Sequence, residues 1–359
     1  MKIYKNIFDQ SVSVENLLSA WHKFKQGKMK KKDVMEFHLH LEKNIFELHD
    51  ELISEQYKHR KYHAFYIQDP KLRHIHKAEV RDRIVHQTIY TELTKIFEPT
   101  FIHDSYSCRE GKGTHKAVKA LEIIGRQMTH NYTAPCYVLK CDIRRFFDSV
   151  DHQILLEILS RKIKDERFLH LCQEIITSFA GYKDYVRTGA GIPIGNLTSQ
   201  IFANIYLNEL DQYLKQKLKE KFYIRYADDF VILSPDKKHL REIQLEIENF
   251  LKEKLRMELH PDKVFLRNFY QGIDFLGYIL FPKHKVLRTK TKWRMLKKMD
   301  RNFAGFIREE LGFESMNQVF QSYFGIMSHG NCRRLTSDIK KEYWIYSVLE
   351  YKKSLENVK

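Results

Sequence analysis

The adjacent carboxylates of Tyr226-Ala-Asp-Asp229 constrain this chain more than any other feature of its sequence. Residues 222–226 and 230–233 on either side are rich in β-branched and aromatic side chains, so the segment predicts a tight antiparallel hairpin with the acidic pair at its tip. Neighbouring carboxylates repel each other and cost stability unless a cation lies beside them. A rigid acidic tip therefore favours a divalent-metal site, although acidic pairs also occur at ordinary turns.

A third carboxylate strengthens this interpretation. Asp142 ends the apolar run that begins at Tyr137, and this run predicts another strand. If the strands are neighbours in one sheet, Asp142 and Asp228 come together. Two Mg²⁺ ions about 3.5–4 Å apart, held by such carboxylates, activate an attacking hydroxyl and stabilise a leaving phosphate oxygen. Magnesium prefers oxygen ligands that it shares with substrate phosphates. The three aspartates therefore indicate nucleotidyl transfer.

The charge of the chain fits a polyanionic partner. Its 62 Lys and Arg against 46 Asp and Glu leave a net charge of +16, which favours nucleic acid or an acidic membrane face, with a merely soluble basic enzyme as the alternative. The five cysteines contain no C-x-x-C pair, which argues against a zinc ribbon or a disulfide framework. No secretory leader is recognisable at the N-terminus, so we expect a cytoplasmic protein.

The longest stretch without a charged residue, 188–208, is long enough to cross a bilayer. Glycine, proline and asparagine residues interrupt it, so it predicts a buried loop leading into a helix, and no membrane association is expected.

Helical and strand patterns are mixed along the chain. Apolar periodicity predicts helices within the first sixty residues, at 116–127 and at 240–255, and Asp148 is positioned as the N-cap of another. Residues 273–280 predict a strand or a hairpin. The last seventy residues predict a basic helix whose apolar face includes Trp293, Met299 and Phe303. Helices and strands that do not alternate regularly indicate an α+β fold.

Several motifs in this order resemble the reverse transcriptases. Tyr226-Ala-Asp-Asp229 and Asp142, in Lys-Cys-Asp-Ile-Arg-Arg-Phe-Phe-Asp, are similar to the palm motifs of that family. The segment from Gly191 to Leu207 matches the motif between them. Arg81-Asp-Arg-Ile-Val85 resembles a fingers motif of group II intron-like enzymes, and Phe275-Leu-Gly-Tyr278 resembles the primer grip.

One position refines the resemblance. Group II intron enzymes carry glutamine where this chain has Ile194, and the following Gly195-Asn-Leu-Thr-Ser-Gln200 is similar to the reverse transcriptases of bacterial and phage diversity-generating retroelements. The segment from Tyr106 to His115 and Ser322-Tyr-Phe-Gly325 are also similar to that group. The resemblance implies error-prone copying of a template-repeat RNA, with mutagenesis directed at adenines.

The resemblance implies an α+β right-hand polymerase with four parts. These are an N-terminal helical extension at 1–60, fingers at 61–135, a palm at 136–285 with a fingers-side insertion around 153–188, and a helical basic thumb at 286–359.

The resemblance also assigns roles to individual residues. Asp142, Asp228 and Asp229 are the expected catalytic carboxylates, and the Ile143 carbonyl is a further expected metal ligand. The expected nucleotide-binding residues, among which Phe147 is the steric gate against ribonucleotides, are Arg73, Arg83, Phe147, Ile194, Gly195, Gln200 and Lys263. The expected template and primer contacts are Lys77, Arg81, Arg109, Lys112, Phe275, Leu276, Gly277 and Tyr278.

The implied cofactor is a pair of Mg²⁺ ions, with Mn²⁺ as a substitute. The implied partners are a template RNA, a DNA or RNA primer, dNTPs and a small basic accessory protein. Two alternatives stay open. One is another bacterial reverse transcriptase, group II-like or defence-associated. The other is a nucleic-acid-binding protein on an inactive polymerase scaffold.

Overall fold

The computed structural model describes residues 2–68, 71–179 and 189–356, with side chains described as far as residue 348. The fingers-side insertion predicted around 153–188 therefore lies partly outside the described residues. The chain is divided into two compact units. Unit 1 contains residues 1–113, 140–232 and 241–265, and unit 2 contains residues 114–139, 233–240 and 266–359.

The helices follow the apolar periodicity of the sequence. In the described ranges they are α1 (Phe8–Val12), α2 (Val14–Lys25), α3 (Lys32–Leu39), α4 (Leu41–Ile53), α5 (Val80–Phe97), α6 (Thr114–Met128), α7 (Phe146–Ser149), α8 (His152–Lys162), α9 (Glu166–Thr177), α10 (Leu197–Gln212), α11 (Lys237–Lys254), α12 (Thr289–Ile307), α13 (Phe313–Ser328) and α14 (Arg333–Glu356). No helix within these ranges is long and apolar enough to span a membrane.

The strands form small sheets. The described strands are β1 (His63–Gln68), β2 (Leu72–Lys77), β3 (Tyr137–Asp142), β4 (Tyr223–Tyr226), β5 (Asp229–Ser234), β6 (Phe265–Asn268), β7 (Ile273–Phe275), β8 (Tyr278–Leu280) and β9 (Lys285–Leu287). β1 pairs antiparallel with β2, one sheet has the order β4-β5-β3-β6, and β7, β8 and β9 form an antiparallel meander. The predicted α+β class is confirmed.

The core of unit 1 surrounds α10. This helix is buried on nearly every side, because the apolar run of the sequence continues around its whole circumference, and it packs against α5. α2 packs on α5, and its fully buried Trp21 contacts Phe37 and His38 of α3. The loop and helix predicted for 188–208 are confirmed over residues 189–208, with α10 beginning at Leu197.

Unit 2 packs α12, α13 and α14 through aromatic rings. Phe303 lies 4.5 Å from Phe320 and 4.1 Å from Tyr346, measured between ring centroids. The prediction that Trp293 lies on the apolar face of α12 is wrong, since its side chain is 67% exposed. Met295 takes the buried position instead. The two residues lie on different faces of α12, and only the face with Met295 is directed to the interior of the unit.

A second local prediction is also wrong. Asp151 is the N-cap of α8, because its Oδ1 accepts the N–H of Ile154 at 3.0 Å. Asp148 lies inside the short helix α7 instead. Both aspartates stand before an apolar segment, and the extra turn of α7 moves the start of α8 by one turn. The predicted boundaries of the extension, fingers, palm and thumb stay predictions.

Candidate active site

The acidic pair lies at the tip of the β4–β5 hairpin in unit 1. Tyr226 is paired with Asp229, so the turn consists of Ala227 and Asp228 alone. Ala227 has φ +53°, a left-handed conformation that an alanine adopts only at an energetic cost. The strained two-residue turn presents the Asp228 carboxylate beside the end of β3.

Hydrogen bonds attach the end of β3 to residues 258–260 on one edge and to this turn on the other edge. The N–H of His260 donates to the Asp142 carbonyl at 2.8 Å, and the N–H of Arg144 donates to the Glu258 carbonyl at 2.9 Å. In extended chain, successive residues direct their backbone groups to opposite edges. Ile143 therefore faces the other edge, where its N–H donates to the Asp228 carbonyl at 3.3 Å. Its carbonyl is directed to the edge that carries the catalytic turn.

The charge of Asp142 acts on the carboxyl of Asp228. Burial raises the pKa of Asp228, the negative charge of Asp142 raises it further, and the positive charges of Lys263 and Lys71 oppose both effects. Lys263 Nζ lies 2.6 Å from Asp142 Oδ1. Two half-buried carboxylates that repel each other and have lysines nearby form an electrostatic environment that favours a bound cation.

Asp229 has a different environment. Its Oδ2 lies 3.1 Å from Lys140 Nζ, and its Oδ1 is buried without a hydrogen-bond partner. Burial raises the pKa of Asp229 to about 6, although Lys140 acts in the opposite direction. Asp229 is therefore paired with Lys140, whereas Asp142 is paired with Lys263 and its charge acts on Asp228.

The predicted pair of Mg²⁺ ions has to fit the oxygen donors of Asp142, Ile143, Asp228 and Asp229. No group of three or more His, Cys, Asp or Glu among the described side chains is placed to hold a metal ion. Magnesium is usually bound through one or two carboxylates together with substrate phosphates and water, without a protein cage. The Asp142–Asp228 pair, the Ile143 carbonyl and the orphaned Oδ1 of Asp229 fit that mode of binding.

Phe147 and Phe146 have different surroundings, as predicted for a steric gate and its neighbour. Phe146 is buried in the core with 2% exposure, whereas Phe147 is half-buried, and the rings meet edge to face at 5.3 Å. The N–H of Ile192 donates to the Phe147 carbonyl at 2.8 Å. This bond attaches Phe147 to the loop that carries Ile194. The role of Phe147 as a steric gate stays a prediction.

Ile194 and Gly195 contact the strand β2. The N–H of His76 donates to the Ile194 carbonyl at 3.1 Å. Gly195 has φ +111°, and a Cβ there would lie 2.8 Å from Ile75 Cγ2, so only glycine fits. Ile194 is half-buried, and Gln200 is exposed on the first turn of α10.

The predicted fingers residues divide into two groups. Arg73 is exposed on β2. Three others bind acidic residues of the N-terminal helices. Arg83 Nη2 and Lys77 Nζ lie 2.5 Å and 2.7 Å from Asp33 Oδ2, and Arg81 pairs with Glu51. The structure does not bring these three side chains to the acidic cluster of Asp142, Asp228 and Asp229. Their predicted contacts with nucleotide or nucleic acid stay predictions.

Two further predicted template contacts bind protein oxygens. Arg109 donates to Glu98 and to the carbonyls of Ile102 and Ser105, and its side chain is only 7% exposed. Lys112 donates to the His103 carbonyl at 2.9 Å. Arg109 thus closes its own loop, and this structure does not support a phosphate contact by its guanidinium.

The predicted primer grip lies in unit 2, where β7 and β8 form a hairpin. Phe275 and Tyr278 are buried, so their side chains stabilise the unit, and the Tyr278 hydroxyl donates to the Ile326 carbonyl at 2.9 Å. Leu276 and Gly277, with φ +49° and +89°, form the half-buried turn. Only the turn is available to a primer.

The sequence interpretation missed a buried ion pair behind the catalytic turn. Arg225 and Asp211 have no exposed surface, and their side chains are joined by two hydrogen bonds of 2.7 Å and 2.6 Å. Arg225 also donates to the Ala227 carbonyl at 3.2 Å, so α10 supports the strained turn through this arginine. The one sequence signal for this ion pair was that Arg225 directly precedes the acidic motif.

Two other residues were also missed. Lys71 lies close enough to Asp228 to lower its pKa, and it stands two positions before Arg73 in the basic hairpin. Asn196 is 3% exposed, and its side chain is hydrogen-bonded to the His76 carbonyl and the Ala78 N–H at 2.7 Å and 3.3 Å. Only the structure shows that this asparagine joins the loop to β2.

A hairpin that presents paired carboxylates beside a third one, on a β-sheet flanked by helices, defines a polymerase of the palm type. Residues 61–280 match the family model described as reverse transcriptase (RNA-dependent DNA polymerase), which is more than half of the 359 residues. The chain belongs to this family, and the predicted α+β right-hand polymerase fold is confirmed.

The chain is similar to several curated proteins. It is 30% identical to Protein YkfC of Escherichia coli (strain K12), over 66% of this chain and 71% of that protein. It is 25% identical to the group II intron-encoded protein LtrA of Lactococcus lactis subsp. cremoris, over 58% of this chain and 44% of that protein. The chain also aligns with a telomerase structure from Candida albicans, over 76% of this chain and 58% of the telomerase chain, with a TM-score of 0.48 and 14% identity. The chain thus spans less than half the length of LtrA.

Proposed function

We propose that this protein is an active RNA-directed DNA polymerase that extends the 3′-hydroxyl of a DNA or RNA primer with dNTPs on a template RNA. The observation that carries the proposal is the half-buried pair Asp142 and Asp228, in which the charge of Asp142 acts on Asp228, with Lys263 and Lys71 beside it. This constellation combines concentrated negative charge for divalent cations with positive charge for phosphates.

Asp142 and Asp228 would hold two Mg²⁺ ions, or Mn²⁺ as a substitute, together with the Ile143 carbonyl. When bound, such ions supply activation of the attacking hydroxyl and stabilisation of the leaving oxygen. The primer 3′-hydroxyl loses its proton to water and its oxygen forms a bond to the α-phosphorus. The bond between the α-phosphorus and the oxygen that bridges to the β-phosphate breaks, and pyrophosphate leaves. Lys71 and Arg73 would supply positive charge for the triphosphate, and Lys263 would give a proton to pyrophosphate.

Primer extension on poly(rA)/oligo(dT) tests this proposal. The Asp228→Ala variant should lose at least roughly 10²–10³-fold in rate, which is typical of removing one preorganised electrostatic group, and keep its thermal stability. Asp50→Ala, which removes an exposed carboxylate on α4, is the matched control and should extend like the wild type. A folded wild-type protein that extends no primer in Mg²⁺ or Mn²⁺ would instead support an inactive nucleic-acid-binding scaffold.

We further propose that the enzyme belongs to the diversity-generating type and copies a template-repeat RNA with errors at adenines, assisted by a small basic accessory protein. Ile194-Gly-Asn-Leu-Thr-Ser-Gln200 supports this subtype. Isoleucine offers no hydrogen bond to the sugar or base, so Ile194 forms an apolar wall where a glutamine side chain would restrain the base pair.

The Ile194→Gln variant should therefore misincorporate less opposite template adenine, by about tenfold if one hydrogen bond of roughly 1.4 kcal/mol is gained. Sequencing of cDNA copied from one defined RNA gives the error spectrum at all four template bases. Errors at the other bases serve as the internal control. An unchanged adenine error rate would refute the role of Ile194.

A group II-like reverse transcriptase is the second candidate. The similarity to LtrA, which is named as a group II intron-encoded protein, favours it. The same sequencing experiment separates the two candidates. A wild-type enzyme whose errors show no excess at adenine is group II-like, and one with a marked excess is of the diversity-generating type.

A further inference from the structure

An open groove lies within unit 2 beside the loop between α13 and α14. It encloses about 980 Å³ and is lined by the end of α13, the loop that follows it and one face of α14. The α14 residues in the groove, which recur at spacings of three and four and so share one helix face, include Arg333, Thr336, Ser337, Lys340, Lys341 and Trp344.

The groove is positively charged. Arg333, Lys340 and Lys341 are exposed, and no carboxylate is among the described residues that line it. None of the three cations forms an ion pair with a carboxylate in the part of the chain whose side chains are described. Lys340 Nζ lies 5.9 Å from the centre of the Phe324 ring. The acidic residues Asp338 and Glu342 lie on α14 outside the groove. A polyanion would therefore meet only positive charge here.

The far end of the groove carries an exposed aromatic surface. Trp344 is 67% exposed and Ile345 is 54% exposed, although both stand close to charged residues. An indole face next to cations is the surface on which unpaired bases stack, and such stacking tolerates any base because each has a π-face. Bases inside a duplex do not offer that face.

We propose that this groove binds single-stranded nucleic acid, with Arg333, Lys340 and Lys341 on the phosphates and Trp344 stacked on a base. Arg333 and Trp344 are eleven positions apart on one helix, which is about 16 Å at the helical rise. The groove therefore accommodates a short run of unpaired nucleotides. That the strand is RNA, a part of the template that is not paired with primer, rests on the proposed polymerase function.

Tryptophan fluorescence of the full chain tests the proposal. The chain has three tryptophans, of which Trp21 is buried and Trp293 and Trp344 are each 67% exposed. In Trp293→Phe, Trp344 is the exposed reporter, and titration with unstructured oligo(rU) should quench it at low salt. In Trp344→Phe, the remaining exposed Trp293 on α12 should respond much less. An absent response of Trp344 would overturn the proposal.

Charge variants give an independent measurement. Lys340→Gln/Lys341→Gln should weaken oligo(rU) binding roughly tenfold and reduce the log–log salt slope by about 1.4, since each single-strand phosphate that is no longer neutralised removes about 0.7. The control pair Lys252→Gln/Lys254→Gln, exposed on α11, removes equal charge elsewhere and should change the quenching of Trp344 little. If both double variants weakened oligo(rU) binding equally, binding would depend on the overall positive charge and not on the groove, and the proposal would be overturned.

Competitors separate the possible occupants. A blunt RNA–DNA duplex or poly-glutamate that quenches Trp344 as strongly as oligo(rU) would overturn the single-strand assignment. The polymerase proposal is tested separately on a primer–template with a one-nucleotide overhang, where the groove variants should extend like the wild type. A protein that binds oligo(rU) in the groove but extends no primer would refute the polymerase function and retain the groove.

Discussion

Lys263 brings its positive charge to both Asp142 and Asp228. Its Nζ lies 2.6 Å from Asp142 Oδ1, and its positive charge lowers the pKa of Asp228 against the effects of burial and of Asp142. Its positive charge opposes the negative charge of the acidic pair, and its proposed second role is to protonate the leaving pyrophosphate. Its two roles predict two separate effects of substitution.

Replacing Lys263 by glutamine removes the charge and therefore raises the pKa of Asp228 further. More of this carboxyl is then protonated at any given acidic pH, and the protonated form binds cations poorly. The acidic limb of the pH–rate profile of primer extension should move to higher pH. The rate at the optimum should fall about 10²-fold, the usual contribution of a general acid.

Lys263→Arg is the matched control for this prediction. It keeps the positive charge, so the acidic limb should stay where the wild type has it. An acidic limb that does not move in Lys263→Gln would show that the lysine has no electrostatic effect on Asp228.

Among the elements, β2 and the loop before α10 are joined by one buried side chain. Asn196 spans the His76 carbonyl and the Ala78 N–H, and the backbone bond between His76 and Ile194 lies beside it. Asn196 also stands at the N-cap position of α10, but its side chain does not cap the helix. The bonds hold β2, which carries Arg73, against the loop that carries Ile194.

Asn196→Ala leaves a buried carbonyl and a buried N–H without their side-chain partner. The free energy of unfolding should fall by about 2 kcal/mol, since each unsatisfied buried group costs roughly 1–3 kcal/mol. Because β2 would shift relative to the loop, KM for dNTPs should rise more than kcat falls. Urea denaturation and steady-state extension measure the two effects.

Asn208→Ala on the same helix is the control for Asn196→Ala. Asn208 is also buried, but its amide donates to Thr100 at 3.5 Å and accepts from Gln212 of the same helix at 3.3 Å, so it joins no strand to the loop before α10. Its removal should change stability less and leave KM for dNTPs unchanged. An equal rise of KM in both variants would show that general loosening of α10, and not the join to β2, affects nucleotide binding.

The whole molecule carries a net charge of +16. Acidic groups at the site and in the N-terminal helices form ion pairs with lysine and arginine, such as Asp142 with Lys263 and Asp33 with Arg83. If template–primer binding neutralises about 6–10 phosphates, log affinity should fall against log salt with a slope of about 0.9 for each phosphate contacted. Fluorescence anisotropy of a labelled RNA–DNA hybrid between low and physiological salt measures this slope. A flat response would mean that the surplus charge serves solubility only.

The sequence alone was enough to predict several of the elements and to single out three aspartates, whose catalytic roles stay predictions. The hairpin at Asp228, the strand that ends at Asp142 and α10 follow directly from apolar periodicity and turn chemistry, because these depend on residues close together in the chain. Order and spacing of the motifs also sufficed to predict the reverse transcriptase family, which residues 61–280 confirm.

Only the tertiary structure decided how the charged residues are paired. Arg109 binds Glu98, Arg83 binds Asp33 and Arg225 binds Asp211, although all three arginines look alike in the sequence. The partner of a long side chain depends on which distant segments meet and on how far water is excluded there, and neither follows from local pattern. For the same reason, the groove on α14 and the join at Asn196 became visible only once the chain was folded.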